Sequence, residues 1–332
     1  MKYKLSLTAG LVLSVIMSSN ALALQDTVRL KKPLPSNDQL TYIGYWNNLN
    51  TNNAGTKANP TLLQTAQAGY TIIPVAFGVI QGTDVSLYNN QYNNNGYGVD
   101  VNYDEFIKDV QNAQAQGAKI LLTFGGGSNS KFSWNPDPNN PQAAADSVID
   151  FLAKNKLDGV DFDLEAGMNT DQSYLKSFIT ELRKQAQLRE ADFAHGFTIT
   201  GAPQLVSSHE FMWNGNTSLN ELLASDACGG VHCFDYLSIQ DYNNNPQPSL
   251  SDAYDAVYSQ MDSNNNDGTT KIILGVPATT SDGQGYMTPE VIKEEINTIE
   301  NKSTAGQFAG IMVWTASSDY TEGNWSFISQ IK

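Results

Sequence analysis

The sequence predicts one α/β domain folded as a (β/α)8 TIM barrel over residues 40–332. Eight short apolar segments alternate in that range with segments of helical apolar spacing. The apolar segments are nearly continuous, which is typical of parallel strands that are buried on both faces. A doubly wound open sheet gives a similar alternation. The number of units, and a row of acids ending the fourth apolar segment, favour the barrel, because barrels carry catalytic residues at the carboxyl ends of their strands.

The predicted strands end at turn residues, and the predicted helices carry apolar residues three or four positions apart. Tyr174, Phe178 and Leu182, for example, fall on one face of a predicted helix. The predicted strands are 40–46, 70–78, 118–124, 157–165, 196–201, 234–240, 271–276 and 308–314. The predicted helices are 59–68, 103–116, 142–155, 171–188, 219–224, 249–261, 289–299 and 326–331.

The first 23 residues have the features of a secretory signal peptide. Lys2 and Lys4 precede an apolar run at 5–17, and the small-residue pattern ALA follows at 21–23. The run is too short for a membrane span, so we expect no membrane contact after cleavage. Residues 24–39 are polar and contain two prolines, which predicts an extended lead-in. We therefore expect an exported protein, either extracellular or periplasmic in a bacterium with two membranes.

The composition is strongly acidic. Lys and Arg total 19 against 34 Asp and Glu, which gives a formal net charge of −15. Such a charge disfavours nucleic acid and anionic membranes as partners, whereas a neutral polysaccharide is compatible with it. The sequence shows no internal repeat and no appended binding module. We expect a monomer that needs no cofactor.

Two cysteines, Cys228 and Cys233, stand close together in the segment CGGVHC. In an exported chain the favoured state is a local disulfide that closes this loop. A metal site with His232 is the alternative, but two cysteines and one histidine at this spacing match no usual zinc pattern. The sequence therefore predicts a disulfide here and no metal.

Three carboxylates end the fourth predicted strand, and we call Asp161, Asp163 and Glu165 the acid row. They occupy every second position, so they share one face of the strand, and the residues between them are apolar. Adjacent carboxylates repel one another, and burial of an unpaired charge is costly. Three interpretations compete: a solvated surface strand, a site for a hard cation such as calcium or magnesium, and a carboxylate site that cleaves glycosidic bonds.

A family resemblance favours the third interpretation. The segment DGVDFDLE at 158–165 resembles the DGxDxDxE signature of glycoside hydrolase family 18, the chitinases and their relatives, and fills every position of it. The segments GAPQ at 201–204 and SIQDYNN at 238–244 are similar to motifs of the class III, hevamine-like chitinases. Within 120–126, Thr123 replaces the serine of the family's third-strand motif. This departure is mild because the hydroxyl is kept.

The resemblance implies a retaining mechanism in which the substrate's own 2-acetamido oxygen is the nucleophile and an oxazolinium ion is the intermediate. Glu165 would be the general acid and afterwards the base. Asp163 would bind the acetamide N–H and balance the positive charge of the intermediate. The deeper Asp161 would share a proton with Asp163. The Tyr242 hydroxyl would donate to the acetamide oxygen and align it for attack.

Other strand ends supply the expected sugar contacts. Trp314 stands where the family has a tryptophan that floors the sugar site, and Tyr45 and Phe77, at the ends of the first two strands, would wall the groove. The full set of expected contacts is Gln204, Gln240, Asn243, Trp314, Tyr45 and Phe77.

Many family members carry a small α+β insertion after the seventh strand, but residues 277–288 suffice only for a loop. An open groove suited to endo cleavage is therefore expected. The leading hypothesis is a secreted endo-chitinase that acts on β-1,4-linked N-acetylglucosamine. An endo-β-N-acetylglucosaminidase that cuts the chitobiose core of N-glycans is the nearest rival. The third hypothesis is a non-catalytic carbohydrate-binding or inhibitor protein on the same barrel; such proteins usually lose the acid, and Glu165 is present.

Overall fold

The structure is a computed structural model that describes residues 40–47, 59–88, 103–127, 133–165, 171–206 and 210–332. The predicted signal peptide and the predicted lead-in at 24–39 lie outside the described residues. Across the described ranges, no helix combines the length and the apolar character needed to cross a membrane.

Eight parallel strands form a closed barrel, which confirms the predicted fold class. Each strand pairs with the next one in chain order, and the first pairs with the eighth to close the barrel. The strands are β1 Thr41–Gly44, β2 Ile72–Ala76, β3 Lys119–Gly126, β4 Gly159–Leu164, β5 Thr198–Gly201, β6 Tyr236–Gln240, β7 Lys271–Pro277 and β8 Phe308–Trp314.

Helices connect most of the strands and cover the outside of the barrel. They are α1 Leu62–Ala68, α2 Tyr103–Ala115, α3 Pro141–Lys154, α4 Gln172–Leu188, α5 Leu250–Ser263, α6 Pro289–Glu300, α7 Ala316–Gly323 and α8 Ser326–Ile331. The helix predicted at 219–224 is only a short 3-10 turn at Asn220–Leu222. Helix α7 was not predicted because its sequence ASSDYTEG lacks an apolar repeat; the Thr315 hydroxyl caps it by accepting from Ser318 N.

Two layers of apolar side chains hold the barrel together. The larger layer packs the outer faces of the strands against the helices and includes Val160 and Phe162 of β4 and Phe178 of α4. The smaller layer fills the interior of the barrel. Its members are Ile43, Tyr45, Ile72, Ala76, Phe77, Leu121, Ala202, Tyr236, Ile273 and Met312.

Strand β4, which carries the acid row, contacts both of its neighbours at positions that only glycine can occupy. A Cβ added at Gly159 would lie 1.8 Å from the carbonyl oxygen of Thr198 in β5. A Cβ added at Gly125 of β3 would lie 1.9 Å from the carbonyl oxygen of Asp163. No side chain fits at either distance, so both positions require glycine. The two glycines therefore fix the backbone of β4 between β3 and β5.

A short separate sheet and a hairpin that extends the barrel sheet follow the carboxyl ends of the strands. Gly78–Gly82, Asp84–Leu87 and Trp134–Pro136 form a three-stranded sheet after β2 and β3. Gln204–Val206 and Glu210–Met212 form a hairpin after β5. Neither the short sheet nor the hairpin was predicted, because their strands are very short and follow the barrel strands with little or no turn signal.

The connection from β7 to α6 is a loop, as predicted. Residues 278–288 contain no strand and no helix, so no α+β insertion rises beside the mouth of the barrel on this side. The loop is bound to the end of β6, because Asn243 N donates to the carbonyl oxygen of Gln284 at 2.9 Å.

Cys228 and Cys233 form a disulfide, as predicted, with their Cα atoms 5.1 Å apart. The closed loop precedes β6 and therefore lies at the end of the barrel opposite to the acid row. His232, the ligand in the rejected metal interpretation, contacts Asp235 Oδ1 at 3.0 Å. Burial raises the pKa of Asp235, but Arg183 and His232 lower it by more, so its pKa lies below the ordinary value.

Candidate active site

The acid row points into the barrel from β4. Asp161 is fully buried and Asp163 is 3% exposed, whereas Glu165, nearest the mouth, is partly exposed. On the opposite face, Phe162 packs edge-to-face against Trp134 and Phe178, with ring centroids 5.5 and 6.1 Å away. The predicted division of β4 into an acid face and an apolar face is therefore present, and the acids become steadily more accessible towards the mouth.

Asp161, the deepest acid, is held by two hydroxyl groups. Tyr45 donates to Oδ2 at 2.8 Å, and Thr200 donates to Oδ1. Burial raises the pKa of Asp161, while the hydroxyls of Thr200 and Tyr45 lower it, and burial outweighs them. Tyr45 is only 1% exposed. The prediction that Tyr45 walls the groove is therefore corrected: its ring is buried beneath the site, and its hydroxyl orients an acid.

Asp163, the central acid, lies between two other carboxyl groups. Gln240 Nε2 donates to its Oδ1 at 2.8 Å. Burial raises the pKa of Asp163 well above the ordinary value, the charges of Glu165 and Asp161 raise it further, and a hydrogen bond with Glu165 adds to the effect. The Asp163–Glu165 pair therefore keeps a shared proton at a pH at which isolated carboxyl groups have lost theirs.

Glu165 lies under two glutamine amides. Gln204 Nε2 donates to Oε2 at 3.3 Å, and Gln240 Nε2 approaches Oε1 at 3.4 Å. Burial raises the pKa of Glu165, and the hydrogen bonds from Gln240 and Asp163 offset part of this rise. Gln204 and Gln240 were predicted to contact sugar. In the free protein both amides contact the acid row, so they also position it.

Tyr242 follows β6 and is partly exposed at the mouth. Among the described residues, no hydrogen-bond partner of its hydroxyl is found. Burial raises its pKa well above the ordinary value, and the nearby charges of Asp163 and Glu165 raise it further. The hydroxyl therefore stays protonated and is available as a donor beside the acid row.

Asn243 lies further out, on the rim. Its backbone is left-handed, with φ of 61°. Its Oδ1 accepts from Gln284 N at 2.8 Å, while its own N–H donates to the Gln284 carbonyl. Asn243 thus joins the end of β6 to the loop after β7. Its Oδ1 is used in this contact, so the predicted contact with sugar would come from its side-chain NH2 group.

Trp314 ends β8 and forms an aromatic floor together with two rings beneath it. Its centroid is 5.3 Å from that of Tyr45 and 6.5 Å from that of Phe77. Trp314 is partly exposed, whereas Phe77 is 6% exposed. Trp314 can therefore present a face to a sugar, and Phe77 acts mainly as packing beneath it rather than as the predicted wall.

The predicted site residues thus converge on one end of the barrel, around a row of protonatable groups. Within the described ranges, no cluster of three or more His, Cys, Asp or Glu side chains has the arrangement of a metal site. Sequence reasoning missed Thr200 as a partner of Asp161. Its signal was available in retrospect, because Thr200 alternates with apolar residues on β5 and pairs in register with Asp161.

The comparison with protein families decides the relationship. Residues 41–291 match the model of the glycosyl hydrolases family 18. The chain belongs to glycoside hydrolase family 18. This membership confirms the resemblance carried by the sequence motifs and the predicted enzyme class.

This family 18 chain is similar in sequence to chitinases, and in fold also to an inhibitor protein. An acidic endochitinase from Nicotiana tabacum is 26% identical over 222 residues, which cover 62% of this chain and 66%, just under two thirds, of that protein. A GH18 chitinase structure from Pseudoalteromonas aurantia has a TM-score of 0.60 and 25% identity, covering 88% of this chain and 98% of that one. A xylanase and α-amylase inhibitor protein from Scadoxus multiflorus, at 21% identity, has a TM-score of 0.56 and the same coverage. The last likeness concerns the fold alone.

Proposed function

We propose that this family 18 chain is an exported endo-chitinase that hydrolyses β-1,4-linked N-acetylglucosamine with retention, through an oxazolinium intermediate. One observation carries the proposal: the central acid, Asp163, is almost fully buried between Asp161 and Glu165, and its pKa is raised well above the ordinary value. The chitinases to which the chain is similar support the same substrate class.

The state of Asp163 argues against a protein nucleophile. A retaining glycosidase of the two-carboxylate kind needs an ionised carboxylate about 5 Å from the acid. Asp163 is the acid nearest to Glu165 along β4, yet it shares a hydrogen bond and a proton with Glu165 instead of standing opposite to it. A nucleophile supplied by the substrate removes this difficulty, because the 2-acetamido oxygen then attacks the anomeric carbon.

The shared proton gives Glu165 its role. When the acetamide N–H binds Asp163, an ionised acceptor is favoured there, and the proton passes to Glu165. Glu165 then protonates the glycosidic oxygen as the C–O bond breaks and the acetamide oxygen bonds to the anomeric carbon. The negative charge of Asp163 balances the positive oxazolinium ring. Glu165 next takes a proton from water, whose oxygen attacks the anomeric carbon, and the acetamide and the protonated acid are restored.

Tyr242 and Trp314 act on the sugar in this proposal. The Tyr242 hydroxyl, which lies beside the acids, donates to the acetamide oxygen and holds it in line for attack. The exposed face of Trp314 stacks beneath the same sugar. Gln204, Gln240 and Asn243 provide amide groups for sugar hydroxyls around this position.

The short connection after β7 supports endo cleavage. Among the described residues, the loop at 278–288 builds no wall beside the groove, which favours a polymer that crosses the site on this side. Export rests on the signal-like sequence at 1–23, and the acidic composition suits a neutral polysaccharide.

Two other functions use the same barrel. An endo-β-N-acetylglucosaminidase would keep the whole acid row and differ only in the glycan it accepts. A non-catalytic binder or inhibitor is suggested by the fold of the Scadoxus multiflorus protein. The presence of Glu165, with the raised pKa that a general acid requires, favours an enzyme over this last function.

The test compares chitin oligosaccharides with a glycoprotein that carries high-mannose N-glycans. Purified protein, with Glu165→Gln as the blank, is incubated with each substrate, and the products are identified by mass spectrometry. The proposal expects cleavage within chitin oligosaccharides and none in the blank. Release of intact N-glycans without chitin cleavage would establish the rival enzyme, and binding without any cleavage would establish the non-catalytic protein.

A further inference from the structure

Asp241 is a buried carboxyl group between two residues of the site. It is fully buried, and it stands in sequence between Gln240 and Tyr242. Because side chains alternate at the end of a strand, Gln240 and Tyr242 face the acid row while Asp241 faces away from it. Asp241 takes no part in the proton transfers or the sugar contacts proposed above.

The side chain of Asp241 is bound by the amide of Gln247. Gln247 Nε2 donates to Oδ1 of Asp241 at 3.0 Å and to the carbonyl oxygen of the same residue at 2.9 Å. Asn244 adds a longer contact to Oδ1, at 3.3 Å. The short segment 241–247 is therefore folded back onto the Asp241 carboxyl.

Two oxygens of this arrangement lack a donor. Asp241 Oδ2 and Gln247 Oε1 are buried and accept no hydrogen bond from the described residues. They belong to the same carboxyl and the same amide that already share a hydrogen bond. One proton on Oδ2 would serve both groups, because a carboxylic acid and a primary amide form a cyclic pair with two hydrogen bonds. Without that proton, two buried oxygens stay unsatisfied, which is costly.

Segment 241–247 packs against the loop after β7. A Cβ added at Gly285 would lie 2.3 Å from Gln247 Oε1, so the amide packs directly on that glycine. Asn243 and Gln284 exchange two hydrogen bonds beside it. A Cβ added at Gly283 would lie 3.5 Å from the ring of Tyr242. The Asp241–Gln247 pair holds segment 241–247 against this loop, and Tyr242 belongs to that segment. The position of Tyr242 therefore depends on the pair.

We propose that the protonated Asp241 carboxyl, paired with the Gln247 amide, is a positioning residue that holds the Tyr242 hydroxyl beside the acid row. The inference rests on the proposed function, since Tyr242 acts there on the acetamide. Ionisation of Asp241 breaks the pair, leaves a buried charge and releases the segment that carries Tyr242 and Asn243.

The electrostatics agree with this geometry. Burial raises the pKa of Asp241 to about 8, the amides of Gln247 and Asn244 offset part of the rise, and the charge of Glu295 in α6 adds to it. Gly275 of β7, which accepts the backbone N–H of Asp241, brings no charge. At neutral pH the pair is intact, and it fails as the pH rises through this value.

The first test measures binding without turnover. In Glu165→Gln, the affinity for the chitin tetrasaccharide is measured by calorimetry between pH 6 and pH 10. It should be about tenfold weaker at pH 9 than at pH 7, which is the ratio of protonated fractions for a group with a pKa of about 8. Adding Asp241→Asn should abolish this decline, because an amide can accept from Gln247 and donate to it at any pH.

A matched control separates this role from simple burial. Asp319 is also buried and also has a pKa raised by burial, but it binds Tyr70 and the start of α8 rather than segment 241–247. In Glu165→Gln/Asp319→Asn the decline should persist. Asp163 and Tyr242 are present in every protein compared, so their own titration cancels.

The second test needs no ligand. Hydrogen exchange of the peptide covering 241–247, corrected for the intrinsic effect of pH, should show a loss of protection between pH 7 and pH 9 in Glu165→Gln and none after Asp241→Asn. An equal decline in affinity or protection with and without Asp241→Asn, or no decline in either protein, would overturn the role of Asp241. Absence of tetrasaccharide binding at every pH would instead count against the proposed function, while the exchange data still decide the inference.

Discussion

Gln240 and Asp163 are joined by a 2.8 Å hydrogen bond, although 77 positions separate them in sequence. The same amide nitrogen also donates to the carbonyl oxygen of Ala202 at 2.9 Å. The amide is thus anchored to the end of β5 while it holds the central acid. The acid row is therefore positioned by residues of β5 and β6 as well as by its own strand. A substitution of one acid should leave the positions of the other two largely unchanged.

Replacement of the outermost acid, Glu165→Gln, should abolish proton donation and keep the shape of the side chain. We expect turnover of chitin oligosaccharides to fall by about 10²–10⁴-fold, with the oligosaccharide still bound. Steady-state kinetics and calorimetry measure the two effects separately. Near-normal turnover would remove Glu165 from the role of acid.

Replacement of the central acid, Asp163→Asn, should remove the counter-charge for the oxazolinium ring. A thiazoline analogue of that ring binds the intact enzyme more tightly than its parent sugar in this account. In the variant we expect this advantage to shrink by roughly 10- to 100-fold, the worth of about 1.5–3 kcal/mol for a hydrogen bond to a charged group. Inhibition constants for both proteins provide the measurement.

The same account requires that cellulose is not cleaved, because glucose carries no acetamide. Cellulose is therefore assayed beside the thiazoline series. Equal inhibition of the two proteins, or appreciable cellulose cleavage, would show that the acid row does not act on an acetamide group of the substrate.

Removal of one hydroxyl, Tyr242→Phe, should lower kcat by about 10²-fold, as expected for one donor to the reacting group. The free energy of unfolding should change by less than about 0.5 kcal/mol, because the hydroxyl makes no hydrogen bond to the described residues. Tyr70→Phe is the matched control: its buried hydroxyl donates to Asp319 at 3.0 Å and not to the acid row. That variant should lose about 1–3 kcal/mol of stability and keep its kcat. The reverse pattern would contradict the assignment.

Chelation should leave activity unchanged if the carboxylates serve the acetamide. The protein is assayed before and after dialysis against EDTA, and again with added calcium or magnesium. Activity lost with EDTA and restored by either cation would revive the interpretation of the acid row as a cation site.

Loss of the disulfide, in Cys228→Ala/Cys233→Ala, should lower stability by at most about 2 kcal/mol, because so short a loop removes little chain entropy from the unfolded state. Activity at 25 °C should be unchanged, since the loop lies at the end of the barrel opposite to the acids. Thermal unfolding and a chitin oligosaccharide assay check the two expectations. A large loss of activity in a folded variant would show that the two ends are coupled.

The barrel and the acid row were predictable because each depends on a local pattern. Buried parallel strands give continuous apolar runs, and alternation on β4 places three acids on one face. The positions of Trp314 and Tyr242 were also predictable once the strand ends were known, because carboxyl ends of barrel strands meet.

The role of Tyr45 was not predictable in the same way. A tyrosine at a strand end can face the groove or turn its hydroxyl inwards, and the choice depends on Asp161, 116 positions away. The short sheet at 78–87 and 134–136 was missed for a related reason: its strands are stabilised by pairing with each other, not by their own sequences. Helix α7 has a cap but no apolar repeat, so it was missed as well.

The contact between Phe162 and Trp134 limits how the loops of this protein can be redesigned. Phe162 lies between two acids in sequence, and Trp134 of the three-stranded sheet packs against its ring. Ile80 of the same sheet pairs in register with Trp134, and its N–H donates to the carbonyl oxygen of Ser133 at 2.9 Å. Exchange of 78–82 therefore disturbs the support behind β4, as does a graft that replaces 133–136. A library that varies substrate range through this sheet must keep Ile80 and Trp134 as a pair.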